Sequence, residues 1–202
     1  MPAPEQGQAW GVLGGLFDPV HLGHLKLAEE ISAARALDGV LFVLSYRPPH
    51  RNEQPQASFD HRAAMLRLAL ADRPRFQFSD IERGRDRPGY TLEIVRRLKR
   101  ENPGVALHFI VGADNLSQLR SWYHWEELLD EIPILVGSRP LAEQTPVDEA
   151  ILSKVIVIPT TLIDISSTQI RRAVKQGFTV DDLSRLVPRP VALYIAENRL
   201  YL

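Results

Sequence analysis

Cysteine is absent from the 202 residues, which excludes disulfides, thiolate zinc sites and a cysteine nucleophile. A surplus of positive charge is missing too. Lys and Arg number 24 against 25 Asp and Glu, so no global field draws the chain to nucleic acid or to an anionic membrane. An anionic ligand would have to be met by a local cluster. Long hydrophobic runs are also lacking: "GVLFVLSY" and "ILSKVIVIP" fall far short of the ~20 residues that span a bilayer. The start, "MPAPEQGQAW", has no basic patch ahead of an apolar stretch and does not read as a signal peptide. The expectation is a cytoplasmic protein with no nucleic-acid or membrane partner. With 45% hydrophobic and 24% charged residues, one globular domain with a sizeable core is expected over residues 1–202.

What is present is an alternation. The strand candidates are "WGVLGG", "GVLFVL", "FQFSDIE", "LHFIVG", "PILVGS" and "KVIVIP". Between them lie stretches at helical spacing, such as "HLKLAEEISAARAL", "HRAAMLRLALAD", "TLEIVRRLKREN" and "WEELLDEI". Short buried strands alternating with amphipathic helices predict an α/β fold, a doubly wound and mostly parallel sheet covered on both faces. This core runs to about residue 165. From Ser166 the pattern turns helical, through "STQIRRAVKQG", "TVDDLSRLV" and "RPVALYIAENRLY", with Gly177 at a helix end and Thr179 opening the next helix. The loop "YRPPHRNEQPQASF" is long and rich in Pro and Gln, a length usually tied to function or motion.

The densest segment is "GGLFDPVHLGHL", Gly14 to Leu25. It follows the first strand, and in an open parallel sheet ligands sit at the carboxyl ends of strands. Gly14 and Gly15 would let a ligand approach the backbone closely. Asp18-Pro19 predicts a helix start near Val20 to Leu22, with Asp as the cap and Pro at the first helical position. His21 and His24 are three apart and should emerge on one side of the first turn, beside a helix end that favours anions. Imidazoles there could donate to a phosphoryl oxygen. Two other readings stay open on these residues alone: buried, hydrogen-bonded histidines at a capped helix, or a metal site lacking an evident third ligand.

The whole segment resembles the signature GxFDPxHxGH of a nucleotidyltransferase superfamily, and the chain is similar within it to bacterial nicotinate-nucleotide adenylyltransferases. "PPHR" (Pro48 to Arg51), "HRAAMLRLAL", "PGYTLEIVRRL", "FIVGADNL", "SWYHWEELL" and "ISSTQIRR" follow in that family's order and cover nearly the whole chain. The resemblance implies a Rossmann-like nucleotidyltransferase fold. It implies ATP contacts at Gly14, Gly15, Leu16, Phe17, His21, His24, Gly112, Asp114, Ile165, Ser166, Ser167, Thr168 and Arg171, with His21, His24 and Arg171 catalytic. For nicotinate mononucleotide it implies Ser45, His50, Arg51, Tyr90, Thr91, Asp114, Trp122 and Tyr123.

Each segment also has a plainer account. Ser166 and Gln169 form a capping-box spacing, though hydroxyls and helix N–H groups with Arg171 one turn in also make an anion site. Pro-Pro stiffens "RPPHR", and basic loop residues are commonly solvated. Asp114 after a strand reads as a helix cap or as a ribose ligand. Trp125 reads as core, whereas Trp122 with Tyr123 matches the family position that stacks on the pyridine ring. Three departures stand out: Ser45-Tyr46 where the family often has Asn, "GYT" in place of "SYT" at Gly89, and Leu16 in place of Thr or Ser.

The implied reaction is adenylyl transfer from ATP to nicotinate mononucleotide, giving deamido-NAD and pyrophosphate, with Mg²⁺ bound mainly through the ATP phosphates and no metal site of the protein's own. Oligomeric state is left open. Alternatives are a sister transferase acting on nicotinamide mononucleotide, phosphopantetheine or a cytidylyl acceptor, and a nucleotide-binding regulatory module that has lost its chemistry. Intact His21, His24 and Ser166 to Arg171 argue against the last.

Overall fold

Six strands form one sheet in a computed structural model that describes residues 4–46, 54–84, 89–116, 118–138, 149–161 and 164–202. They are β1 (Ala9–Gly15), β2 (Gly39–Leu44), β3 (Phe76–Ser79), β4 (Ala106–Gly112), β5 (Ile134–Ser138) and β6 (Val155–Pro159). Every pairing is parallel, in the order β3-β2-β1-β4-β5-β6. All six expected strands form, and the doubly wound reading holds. The order reverses between β1 and β4, where a crevice opens at the strands' carboxyl ends.

Strand alternation explains the two cores. Val40, Phe42 and Leu44 of β2 point to one face, and Leu41 and Val43 to the other. The first face is covered by α1 (Leu22–Ala34), α2 (Phe59–Leu70) and the C-terminal helices α7 (Ser167–Lys175), α8 (Val180–Leu183) and α9 (Arg189–Glu197). The second is covered by α3 (Thr91–Glu101), the short α4 (Ala113–Leu116), a 3-10 turn (Leu119–Ser121), α5 (Trp125–Glu131) and α6 (Glu149–Leu152). Each fully buried Leu, Ile, Val or Phe contributes about 1.5–3 kcal/mol against exposure, so both faces are held by many modest terms.

The helical C-terminal segment expected from Ser166 is present, and it shares a core with the sheet. Ile170, Leu183, Val191 and Ile195 join the cluster that holds Leu25, Ile31 and Leu66. Thr179 caps α8, its Oγ1 accepting from the Asp182 N–H at 3.2 Å. Gly177, at φ +81°, follows α7 in the left-handed conformation that a helix terminator needs. No helix among the described residues is long and apolar enough to cross a membrane.

Candidate active site

The turn after β1 is the centre of the crevice, and the helix it feeds begins later than the Asp-Pro pair suggests. His21, not Asp18, is the N-cap of α1, with an extended backbone, and Leu22 is the first helical residue. Asp18 is otherwise employed. It is 4% exposed and its peptide bond to Pro19 is cis. Its carboxylate accepts the Gln56 N–H at 2.8 Å, the Ala57 N–H at 3.2 Å and the Tyr201 hydroxyl at 2.8 Å. A carboxylate reaching three donors from two distant segments does more for the fold than a cap on the next turn, so the expected capping role of Asp18 and Pro19 is corrected.

The two histidines do share one side of the first turn. Their rings stack with centroids 3.6 Å apart. His24 Nδ1 accepts the His21 backbone N–H at 3.2 Å; an amide can only donate, so the neutral His24 ring carries its proton on Nε2. His21 is 7% exposed, and burial lowers its pKa from 6.5 to about 4, so it is neutral at physiological pH. Phe17 is 2% exposed, with positive φ, and its ring meets the His24 ring edge-on at 5.0 Å. It sets the imidazole from within the core rather than offering surface to a ligand. In the first turn of α1, the Leu22 N–H goes to the Leu186 carbonyl and the His24 N–H to that of His21. Gly23 N–H is left without an acceptor among the described residues.

Two glycines border the crevice without an internal steric reason. A Cβ on Gly112 would meet nothing within 4 Å, and one on Gly14 would come no closer than 3.6 Å to the Phe109 ring. Side chains there would project into the space that a ligand needs at the ends of β1 and β4. Leu16 and Ser45 are half-buried, and their carbonyls both accept from one Arg62 Nη1, each at 2.8 Å. The Ser45 N–H goes to the Gly15 carbonyl at 2.9 Å.

Helix α7 docks directly on this turn. Ser167 Oγ donates to the Pro19 carbonyl at 2.9 Å, and Arg171 Nη1 to the Asp18 carbonyl at 2.8 Å. Arg171 Nη2 also donates to Thr168 Oγ1 at 3.3 Å, which leaves one hydrogen on each Nη. The capping box forms as the spacing predicts: Ser166 Oγ accepts from the Gln169 N–H, and Gln169 Oε1 from the Ser166 N–H at 2.6 Å. The two motifs are 148 residues apart in the chain and touch in the fold. Ile165, half-buried beside them, packs on the first core.

The remaining candidates gather at the start of α3. Tyr90 is its N-cap and provides no side-chain capping bond, and Thr91 is its first residue. The Tyr90 ring stacks on that of Tyr123 at 4.2 Å, and Tyr123 is 43% exposed. Trp122 is half-buried and meets Phe109 edge-on at 6.1 Å, which ties it to the ring beside Gly14. Trp125 packs against the second core as expected. The Gly89 departure has a local cause: a Cβ there would overlap the Glu82 carboxylate, whose Oε2 accepts the Tyr46 N–H at 3.2 Å. Asp114 lies within the one-turn α4 and not at its cap. His50 and Arg51 lie outside the described residues.

Sequence reasoning passed over Arg62, Glu82 and Tyr201. Arg62 is 1% exposed and binds Leu16, Ser45 and Ala57 carbonyls, with the Asp18 and Glu82 carboxylates close enough to offset part of its burial. The signal was legible. Arg62 stands three and four residues before Met65 and Leu66 on the buried face of α2. A charge on that face must be paired.

A parallel sheet with strand order 321456, an imidazole pair at its switch point and a second helix N-terminus docked beside them define a nucleotidyltransferase. Residues 12–173 match the cytidylyltransferase-like family, to which the chain belongs. Within that class it falls among the nicotinate-nucleotide adenylyltransferases. It is 41% identical, over 95% of its length and 94% of the relative's, to the "Probable nicotinate-nucleotide adenylyltransferase" of Symbiobacterium thermophilum. To that of Carboxydothermus hydrogenoformans it is 40% identical, over 96% of this chain and 98% of the relative. The structure of Plasmodium falciparum nicotinic acid mononucleotide adenylyltransferase complexed with NaAD has the same fold, with a TM-score of 0.79 at 21% identity, covering 96% of this chain and 97% of that one.

Proposed function

We propose that the protein transfers the adenylyl group of ATP to nicotinate mononucleotide, and that the junction of the β1 turn with α7 is where the triphosphate is held. The 5′-phosphate oxygen of the mononucleotide forms a bond to the α-phosphorus as the bond from that phosphorus to the α–β bridging oxygen breaks. Pyrophosphate leaves. The attacking oxygen is already anionic at neutral pH, so no general base is needed. What the site must supply is alignment and donors for the charge on the α- and β-phosphoryl oxygens.

The residues suit that task. His24 presents Nε2–H because its Nδ1 is engaged by the His21 amide. His21 is neutral through burial, and it donates without bringing a cation into a buried place. Gly23 N–H, the remaining Nη hydrogens of Arg171 and the hydroxyl of Thr168 complete the set of donors, Ser167 holds α7 on the Pro19 carbonyl, and Gly14 and Gly112 leave room for the nucleotide. Among the described residues no three His, Asp or Glu side chains group as a metal cage. Mg²⁺ enters as part of the substrate, MgATP, coordinated by phosphate oxygens and water. ATP as the donor accords with the expected cytoplasmic location. The acceptor's ring lies by Tyr90, Tyr123 and Trp122. Its carboxylate is received by the N–H groups opening α3, an eleven-residue helix with no side-chain capping bond.

The test is pyrophosphate release from MgATP with nicotinate mononucleotide or nicotinamide mononucleotide as acceptor. Turnover should be faster with nicotinate by at least about tenfold, the value of one charge-assisted contact. No turnover with either acceptor overturns the reading, and preference for the amide overturns its account of the α3 end.

A further inference from the structure

Tyr201 is the penultimate residue, yet it is 7% exposed. Its backbone has φ +66°, and Arg199 two residues before it has φ +51°. Neither is glycine, so the chain end holds two turns that L-residues seldom adopt. Such a shape persists only where contacts fix it. The contact at hand is the Tyr201 hydroxyl donating to Asp18 Oδ1 at 2.8 Å, buried and 183 residues away in sequence. Asp18 lies between Phe17, which abuts His24, and the segment that leads into His21.

The rest of the arrangement radiates from the same carboxylate. It accepts the N–H groups of Gln56 and Ala57, which lead through the Ser58 cap into α2. Helix α2 places Arg62 on the Leu16 and Ser45 carbonyls. On the other side of the turn, Arg171 holds the Asp18 carbonyl and Ser167 that of Pro19. The Asp18 carboxylate thus joins the chain end to the start of α2, while its own carbonyl is pinned by α7. A buried carboxylate that loses one donor does not stay in place unchanged, because the missing bond must be replaced or the group must move.

We propose that Tyr201 is a positioning residue for adenylyl transfer: through Asp18, the C-terminal end of the chain fixes the turn that carries His21 and His24. It touches neither substrate. Its action is on the placement of the imidazole donors, which matter most when charge develops at the α-phosphoryl group. This rests on the function proposed above.

Tyr201→Phe removes the hydroxyl and keeps the ring. The expected result is a kcat about tenfold or more below that of the parent, with KM for MgATP and the mononucleotide within about threefold, as for an interaction serving the transition state. In Asp18→Asn, where the partner carboxylate is altered, adding Tyr201→Phe should cause little further loss, since the two act as one unit. Removal of Leu202 alone, a residue 78% exposed, should leave activity unchanged. Unchanged kcat in Tyr201→Phe overturns the proposal, as do full additivity with Asp18→Asn and a loss confined to KM. If Tyr201→Phe folds poorly, as read by its unfolding temperature, Tyr201→Leu and Tyr201→His are compared at equal folded fraction. Recovery of kcat only in the variant that can place an N–H near Asp18 supports the role, and equal activity in both overturns it. A parent enzyme without turnover refutes the function itself, whereas an active parent with an indifferent Tyr201 refutes only this inference.

Discussion

Lowering the pH should destabilise this protein through one imidazole in particular. His21 has its pKa lowered from 6.5 to about 4 by burial, and it is 7% exposed, so solvent screens little of the effect. Above the unfolded value both states are neutral and the residue adds no pH dependence. As pH falls below 6.5, the unfolded chain takes up a proton that the folded chain refuses, and stability is lost until the folded value is reached. The full difference is about 3 kcal/mol, and at about pH 5 some two-thirds of it, roughly 2 kcal/mol, is already lost. That is a large share of an ordinary domain's ~5–15 kcal/mol. The assay is urea unfolding at about pH 7.5 and about pH 5, on the parent and on His21→Asn, which keeps a polar group but does not titrate. The variant should lose about 2 kcal/mol less between the two pH values than the parent does. Other groups, His108 included, titrate alike in both proteins and cancel. Equal losses would show that His21 is solvated, and with that its role as a neutral buried donor would fall.

Arg62→Met should cost about 3–5 kcal/mol in urea unfolding, because it strips three carbonyls of their donor and leaves the Asp18 and Glu82 carboxylates without their buried cation. Gly112→Val should leave the unfolding temperature nearly unchanged, as its Cβ meets nothing within 4 Å, but raise KM for MgATP about tenfold or more by filling the crevice; a variant with normal KM would place the nucleotide elsewhere. Tyr123→Ala should weaken the mononucleotide by about 1 kcal/mol, a fivefold KM effect, with KM for MgATP unaltered in the same kinetic runs.

How much of this was legible depends on the range of the signal. The strands were readable because each is a short apolar run bounded by punctuation, and because burial on both faces removes any alternation that a wrong register would betray. The Ser166 and Thr179 helix starts were readable because a capping box is complete within four residues. Asp18 was misread for the same reason. The local rule for an Asp before Pro is a cap, and it was outweighed by three donors from residues 56, 57 and 201, which no window on the sequence contains.

Arg62 and Tyr201 show two different reasons for being missed. Arg62 had a local mark, a guanidinium on the apolar face of α2, and only its partners were hidden. Tyr201 had none: an aromatic near a chain end is equally at home in a frayed tail. What makes it part of the site is topology. Helices α8 and α9 bring the chain back onto the core face beneath the β1 turn, so a residue near the terminus arrives beside one near the start. The donors proposed to face the phosphates are compact motifs that sequence displays. Their placement depends on buried links across the whole chain, at Asp18, Arg62, Arg171 and Tyr201, and these form only when the fold closes. A change in those links should act on kcat before it acts on binding, since the ground-state contacts tolerate small displacements that the transition state does not.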